Sequence, residues 1–347
     1  MAALRVLVCE DSRTYAAALH RTLEYDGDIE VLAVCSTAEE AIAALPRVEP
    51  DLVTMDVELP GMNGLKAVGE IMSSWPVPIL VLSAHVGHGG DNTAVALAAG
   101  ALDALAKDDL DLRDPAGTAA AAFRHRIRVL GQARVIRHPL ARLAARPGSR
   151  VDGRHASVVG VCASLGGPRL LMFLLKALPA DYPIPVLIVQ HMAVGFTEGL
   201  ARWLDQDAEI PVRLAEAGTP AAGPGAWLAP DGAHLTLTGT GRLALDRDTV
   251  AGRHRPSGDV LLDGIAAAAG RTGVGVVLSG IGNDGAAGAA AIQSSGGLAI
   301  AQDEESSAVF GMPKAAIDLG VDVVLSPSRI AACLLGLQPQ PFPGASR

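Results

Sequence analysis

The sequence predicts an α/β protein made of two doubly wound parallel-sheet domains, the second with an added antiparallel hairpin, joined by a basic linker. Short apolar, β-branched runs of strand length alternate with helical patterns along the chain, which is how parallel sheets are built. Polar side chains capable of chemistry stand at the ends of those runs, where α/β sheets gather their sites. A length of 347 residues allows about two domains, each with its own core.

The first run, Leu4 to Cys9, ends on the acidic pair Glu10-Asp11. Ser12 opens a helix toward Tyr25, and a strand from Ile29 to Val34 leads to Ser36-Thr37-Ala38-Glu39, read as a capping box for a helix through Leu45. Asp51 to Met55 is a third strand with Asp56 at its tip. The turn-forming stretch Glu58 to Gly64 follows, then a helix from about Leu65 to Met72. A fourth strand, Pro78 to Leu82, ends at Ser83, and a short fifth, Leu102 to Ala106, ends at Lys107.

Glu10, Asp11 and Asp56 together form a hard oxygen set suited to Mg²⁺, an ion that keeps several waters and takes few protein ligands. With a cation, a lysine and a hydroxyl nearby, Asp56 is placed to accept a phosphoryl group, because positive charge neutralises the transferred oxygens. Singly these are ordinary surface polars; jointly, at successive strand ends, they are specific. Residues 4 to about 112 resemble the receiver domain of two-component response regulators. The resemblance implies a flavodoxin-like fold, phosphorylation at Asp56 by a sensor histidine kinase, and Mg²⁺ ligation by Glu10, Asp11 and Asp56. It further implies phosphoryl contacts from Ser83 and Lys107. Two positions depart from that family: Ala104 stands where an aromatic is usual, and Asp108 stands where a proline usually follows the lysine. Both bear on how Ser83 couples to its surroundings and leave the phosphate chemistry intact.

Residues 1–112 thus read as one domain and 113–154 as a helix followed by an arginine-rich linker. Between Pro115 and Val151 stand eight arginines and no acid, a local charge of +8, so the rest of the chain carries −17 of the net −9. A nucleic-acid arm would need aromatic or glycine interleaving, which is absent, and no helix-turn-helix follows. A solvated helix and linker is the expectation, with no nucleic acid among the partners. Aromatics are only 3% of residues, so the cores must be packed from Ala, Val, Leu and Ile. Four widely spaced cysteines suggest reduced thiols, and no apolar run reaches spanning length; a cytoplasmic protein without direct membrane insertion is expected.

The second domain, 155–347, opens on a strand from Ser157 to Val161 and a turn at Ser164-Leu165-Gly166-Gly167 into a leucine-rich helix, Arg169 to Leu178. A serine at such a corner presents its hydroxyl at the open end of a sheet, and the Leu165 and Gly166 N–H groups could stabilise an oxyanion. On this stretch alone an ordinary N-cap serine competes with that reading. The G-x-S-x-G elbow is absent, since Cys162 stands two before the serine. A second apolar run, Val186 to Val189, finishes in Gln190-His191; a third, Gly275 to Leu278, runs into a glycine loop holding Asp284. All three tips belong on one edge. Between them, Gly195-Phe196-Thr197 leads into a helix through Leu204, and Gly223 to Gly232 with His234 to Leu245, Thr238-Gly239-Thr240-Gly241 standing between strands, read as an antiparallel hairpin attached to a mainly parallel sheet. Arg253-His254-Arg255-Pro256-Ser257 is a basic loop, suited to an acidic or polar substrate or else a solvated turn, and strands at Leu298 to Ala301 and Val321 to Leu325 complete the alternation.

The runs Ser164-Leu165-Gly166-Gly167, Gln190-His191-Met192, Ala229-Pro230-Asp231-Gly232, Arg255-Pro256-Ser257, Gly282-Asn283-Asp284-Gly285 and Phe310-Gly311-Met312-Pro313 together resemble the chemotaxis protein-glutamate methylesterases. That resemblance implies a Ser164-His191-Asp284 triad, with Leu165 and Gly166 as backbone oxyanion donors. The reaction it implies is hydrolysis of glutamate γ-methyl esters, with deamidation of glutamine, on methyl-accepting chemoreceptors. It implies that the unphosphorylated receiver blocks the esterase and that phosphorylation relieves the block. Ala193, Gly258 and Ile281 stand where that family commonly has proline, valine and methionine. The alternative is a phospho-switched interaction module whose hydrolase domain is inactive.

Overall fold

Two separate parallel sheets underlie the alternation of apolar runs. The computed structural model describes residues 3–84, 89–135, 153–250 and 254–343, and the chain divides into units Met1–Arg137 and His138–Arg347. The linker arginines 137, 142, 146 and 150, and Arg253 of the basic loop, lie outside the described residues.

In the first unit the elements run β1 Leu4–Cys9, α1 Arg13–Leu23, β2 Ile29–Cys35, α2 Ala38–Val48, β3 Leu52–Asp56, α3 Gly64–Ser74, β4 Ile79–Ser83, α4 Gly89–Ala99, β5 Asp103–Ala106 and α5 Thr118–Gly131. The strands are parallel in the order β2-β1-β3-β4-β5. Strand order reverses beside β1, which opens a crevice at the carboxyl ends of β1 and β3. Glu10 and Asp56 stand there.

The start of α2 differs from the expected capping box by one residue. Thr37 is the N-cap, its hydroxyl accepting from the Glu40 N–H, while the Glu40 carboxylate accepts from the N–H and hydroxyl of Ser36. Glu39 turns instead to the loop before α3, where it accepts from the Met62 N–H at 3.1 Å. Either of two adjacent acids could satisfy the local pattern, and a tertiary contact decided between them.

Three arginines of the basic stretch are spent on this unit. Arg124 is buried, donating to Asp26 and to the carbonyls of Thr22 and Pro115; Arg126 pairs with Asp103, and Arg128 with Asp26 and Asp28. They staple α5, which packs on α1, β1 and β3, in place of the expected solvated helix.

The second unit runs β6 His155–Ala156, β7 Val158–Ala163, α6 Gly167–Ala177, β8 Val186–Gln190, α7 Thr197–Asp207, β9 Val212–Leu214, β10 Ala226–Leu228, β11 His234–Leu237, β12 Leu243–Asp246, α8 Gly258–Ala269, β13 Gly273–Val277, α9 Ala286–Ser294, β14 Leu298–Gln302, α10 Met312–Asp318, β15 Val323–Leu325, α11 Pro327–Gly336 and β16 Gln338–Pro339. Its main sheet is parallel, in the order β15-β14-β13-β7-β8-β10-β9. Period-two alternation in β7 sends Val159, Val161 and Ala163 into one core and Val158 and Cys162 into the other, so the strand is apolar throughout.

The hairpin turns at Thr238 to Gly241 as expected, but the stretch before it belongs to the parallel sheet. Ala226–Leu228 is a parallel strand between β8 and β9, while β11 and β12 pair antiparallel as a two-stranded sheet of their own packed on α8. The three-residue β9, its residues buried, exposed and half-buried in turn, is too short to show a period in the sequence, so β10 lacked a visible neighbour. Among the described residues no helix is long and apolar enough to cross a membrane.

Candidate active site

Strand β7 sits between β8 and β13, so the groups that follow these three strands must meet at one edge. Ala163 is in register with Gln190, and the His191 N–H donates to the Ala163 carbonyl at 2.9 Å. Ser164 and His191 therefore leave neighbouring strands at the same level. On the other side the Ser164 N–H donates to the Ser279 carbonyl at 3.0 Å. The buried Gln190 amide ties the first pair together, its Nε2 donating to the carbonyls of Ser164 (2.7 Å) and His191 (2.8 Å).

His191 and Asp284 are in direct contact, Nε2 to Oδ2 at 2.7 Å, with side chains only 7% and 12% exposed. The carboxylate accepts three further bonds at the start of α8: from the Ser257 hydroxyl (2.7 Å) and from the N–H groups of Gly258 (2.6 Å) and Asp259 (3.1 Å). Burial alone would raise the Asp284 pKa, but the bonds from His191, Ser257 and the helix start outweigh it and hold the carboxyl well below the usual carboxylate range. A carboxylate fixed in this way keeps a proton on the imidazole Nε2. His191 Nδ1, buried and without a hydrogen-bond partner among the described residues, is then the nitrogen with a free lone pair. Ser164 is half-buried, and its hydroxyl makes no hydrogen bond to the imidazole among the described residues. Nucleophile–base bonds are often long without substrate and tighten in the Michaelis complex.

The corner after Ser164 is built to aim backbone donors. Gly166 takes φ 74°, ψ −3°, and the Gly167 N–H closes the turn on the Ser164 carbonyl at 2.9 Å. A Cβ at Gly166 would stand 2.9 Å from that of Ala308, so only glycine fits. The buried Ser279 hydroxyl donates to the Leu165 carbonyl at 2.8 Å and accepts from the Val309 N–H at 3.0 Å. In a planar trans peptide the N–H opposes the carbonyl, so pinning Leu165 O turns the Gly166 N–H away from Ser279. Neither the Leu165 nor the Gly166 N–H meets an acceptor among the described residues.

Gly280, after β13, lies directly behind the serine. A Cβ there would stand 2.6 Å from the Ser164 Cβ and 2.2 Å from the Met312 sulfur. Gly280→Ala is expected to displace Ser164 and cost about 100-fold in kcat, since a shift of the order of 1 Å in a reacting group has that effect. Steady-state methanol release, alongside unchanged far-UV circular dichroism, checks it.

The basic loop serves the site differently from expectation. Arg255 turns its guanidinium onto the carbonyls of Arg247 (2.7 Å) and Thr249 (2.8 Å), while Ser257 holds Asp284 and His254 stacks on His191. Ser257, His254, Gln190 and Ser279 were missed as site residues. Each stood inside or beside a motif already noted, but only the fold reveals what it touches.

In the first unit, Glu10 and Asp56 are buried and Asp11 is exposed, with carboxylate oxygens within 4.8 Å of one another. Lys107 Nζ lies 2.7 Å from Glu10 and 2.8 Å from Asp56, with the Tyr15 ring 4.7 Å away. Burial raises the Glu10 pKa and the charge of Asp56 adds to it, with Lys107 opposing. Three carboxylates against one ammonium leave an excess of negative charge in an all-oxygen set, which fits a hard divalent cation such as Mg²⁺. Ser83 is buried at the tip of β4, the strand next to β3, and pairs with Ala106, the residue before Lys107.

Comparison with known proteins gives the family. The family model described as CheB methylesterase matches residues 159–334, and that of the response regulator receiver domain matches residues 6–113. The chain is 40% identical over 334 residues to protein-glutamate methylesterase/protein-glutamine glutaminase 2 of Anaeromyxobacter dehalogenans (strain 2CP-C), covering 95% of this chain and 96% of the relative. It is 36% identical over 345 residues to protein-glutamate methylesterase/protein-glutamine glutaminase 4 of Myxococcus xanthus (strain DK1622), covering 96% of this chain and 98% of that relative. The crystal structure of the Thermotoga maritima CheB methylesterase catalytic domain matches with a TM-score of 0.50 at 37% identity, covering 52% of this chain and 97% of that one. With both domains matched in order along nearly the full length of its relatives, the chain belongs to the CheB methylesterase family, in the form that carries a response-regulator receiver domain ahead of the esterase.

Proposed function

We propose that the protein is a cytoplasmic serine-type esterase that removes methyl groups from glutamate γ-methyl esters, and amide groups from glutamine, on methyl-accepting chemoreceptors. The observation that carries this is the His191–Asp284 pair, held at the strand tip beside Ser164. Ser164 Oγ attacks the side-chain carbonyl carbon while His191 Nδ1 takes its proton. Asp284 holds the opposite edge of the ring and stabilises the imidazolium. The Leu165 and Gly166 N–H groups receive the oxyanion. His191 returns its proton to the departing methoxide, giving methanol, or to the amide nitrogen, giving ammonia. Water, activated by the same imidazole, then releases glutamate and frees the serine.

The first unit supplies the control. A sensor histidine kinase donates a phosphoryl group to Asp56; Glu10, Asp11 and Asp56 hold Mg²⁺, which when bound neutralises charge on the transferred oxygens. Ser83 and Lys107 contact the phosphoryl group once it is on Asp56. Phosphorylation biases the chain toward its active state, a coupling of a few kcal/mol at most.

The test is methanol release by the full chain from methylated receptor in membranes, with and without acetyl phosphate and Mg²⁺. The expected result is basal release that rises about tenfold with phosphodonor, the rise being lost in Asp56→Asn. A rate indifferent to phosphodonor overturns the regulatory part; no methanol under any condition overturns the esterase.

A further inference from the structure

The ring of His254 lies face to face on that of His191, centroids 4.1 Å apart and planes 13° from parallel. His254 is exposed and precedes Ser257, the residue that delivers a hydroxyl to Asp284. The bond from Nε2 to Asp284 fixes one edge of the His191 imidazole but leaves it able to rock about that bond. A second ring on its face removes this freedom. The chemistry adds a further requirement. During acyl transfer His191 becomes a cation; a neutral aromatic face 4.1 Å away stabilises it, whereas a second cation there opposes it.

Several other ionisable groups stand on the elements that meet at this stack. Asp284 occupies the Nε2 edge of His191, and Asp259 lies in the first turn of α8 with its carboxylate accepting from the Gly288 N–H. Arg255 is turned onto the carbonyls of residues 247 and 249. Asp231 accepts from the Gly195 N–H and the Thr197 hydroxyl, in the loop that follows His191. The buried His234 accepts the Ser257 N–H at Nδ1 and has the Thr249 carbonyl at Nε2.

We propose that His254 is a positioning residue for the acyl-transfer reaction. Its ring holds the His191 ring in plane, and its aromatic face stabilises the transient imidazolium. The inference rests on the esterase reading above and deepens it.

The experiment measures kcat and KM across pH for the phosphodonor-activated full chain and for His254→Phe, His254→Ala and His254→Lys. An exposed position tolerates all three, and circular dichroism verifies the fold. The expected result is that His254→Ala loses about tenfold in kcat with KM unchanged, that His254→Phe recovers most of the loss, and that His254→Lys falls below His254→Ala at every pH. Rates and profiles equal to wild type in all three variants overturn the proposal. So does a loss confined to KM, which makes His254 a substrate contact instead. Wild-type chain without any methanol release is a failure of the esterase reading; active wild type with indifferent variants is a failure of this inference alone.

Discussion

Replacing Ser164 with alanine is expected to lower methanol release from methylated receptor by about a millionfold, to the level set by binding and the oxyanion donors alone. The side chain loses only its hydroxyl. Ser164 is half-buried, and its backbone bonds to Ser279, Gly167 and Gln190 involve main-chain atoms that the substitution leaves in place. Thermal stability should therefore stay within about 0.5 kcal/mol of the parent, so a loss of rate reads as a loss of chemistry. A serine-directed fluorophosphonate gives a second readout. It should label the parent at Ser164, located by peptide mass, and leave Ser164→Ala unlabelled. Labelling at another serine, or methanol release that survives the substitution, would sink the assignment of the nucleophile.

Asp284→Asn carries the second largest effect, about 10⁴-fold in kcat. The carboxylate accepts from four donors, namely His191, Ser257, Gly258 and Asp259. An asparagine offers one acceptor oxygen and one NH₂ group. Whichever way the amide turns, its NH₂ faces N–H or O–H donors, so either the helix start or the imidazole loses its acceptor. If the imidazole loses it, the ring is free to take the wrong tautomer, with a proton on Nδ1 and no lone pair toward the serine. The same variant should lose about 3 kcal/mol of stability at pH 7, because several donors are left buried around a missing charge. The sign with pH follows from linkage. Asp284 titrates below its unfolded value of 3.8, so its contribution is fully present above that pH and is lost as pH falls through the folded value. The stability gap between parent and variant should thus be constant near neutrality and narrow below about pH 4. Urea unfolding at pH 7 and pH 3 measures it; a gap that widens in acid would mean that the carboxyl is not held ionised.

Much of the fold was legible because its strands are buried on both faces and so read as continuous apolar runs. β1, β3, β4, β7, β8, β13 and β14 fall within a residue or two of their expected places. The exceptions share a cause. β9 has three residues and β10 three, too few to declare a period, and their parallel pairing depends on β8, whose register no local pattern encodes. The step from Glu39 to Glu40 at the start of α2 was settled by Met62, more than twenty positions away. Arg124, Arg126 and Arg128 looked solvated because their acids, Asp26, Asp28 and Asp103, belong to distant turns and strands.

From the sequence by itself come the α/β class, the two successive sheets and the polar side chains that end their strands. Those follow from periodicity and residue chemistry, which are local. Tertiary structure alone decided which imidazole nitrogen faces Asp284, that Ser257 and the start of α8 grip that carboxylate, and that Gln190 and Ser279 brace the serine corner. It also laid His254 on His191. Hydrogen bonds and ring stacks act over about 3 to 4 Å between residues that can stand over a hundred positions apart, so strand order and register determine which of them meet.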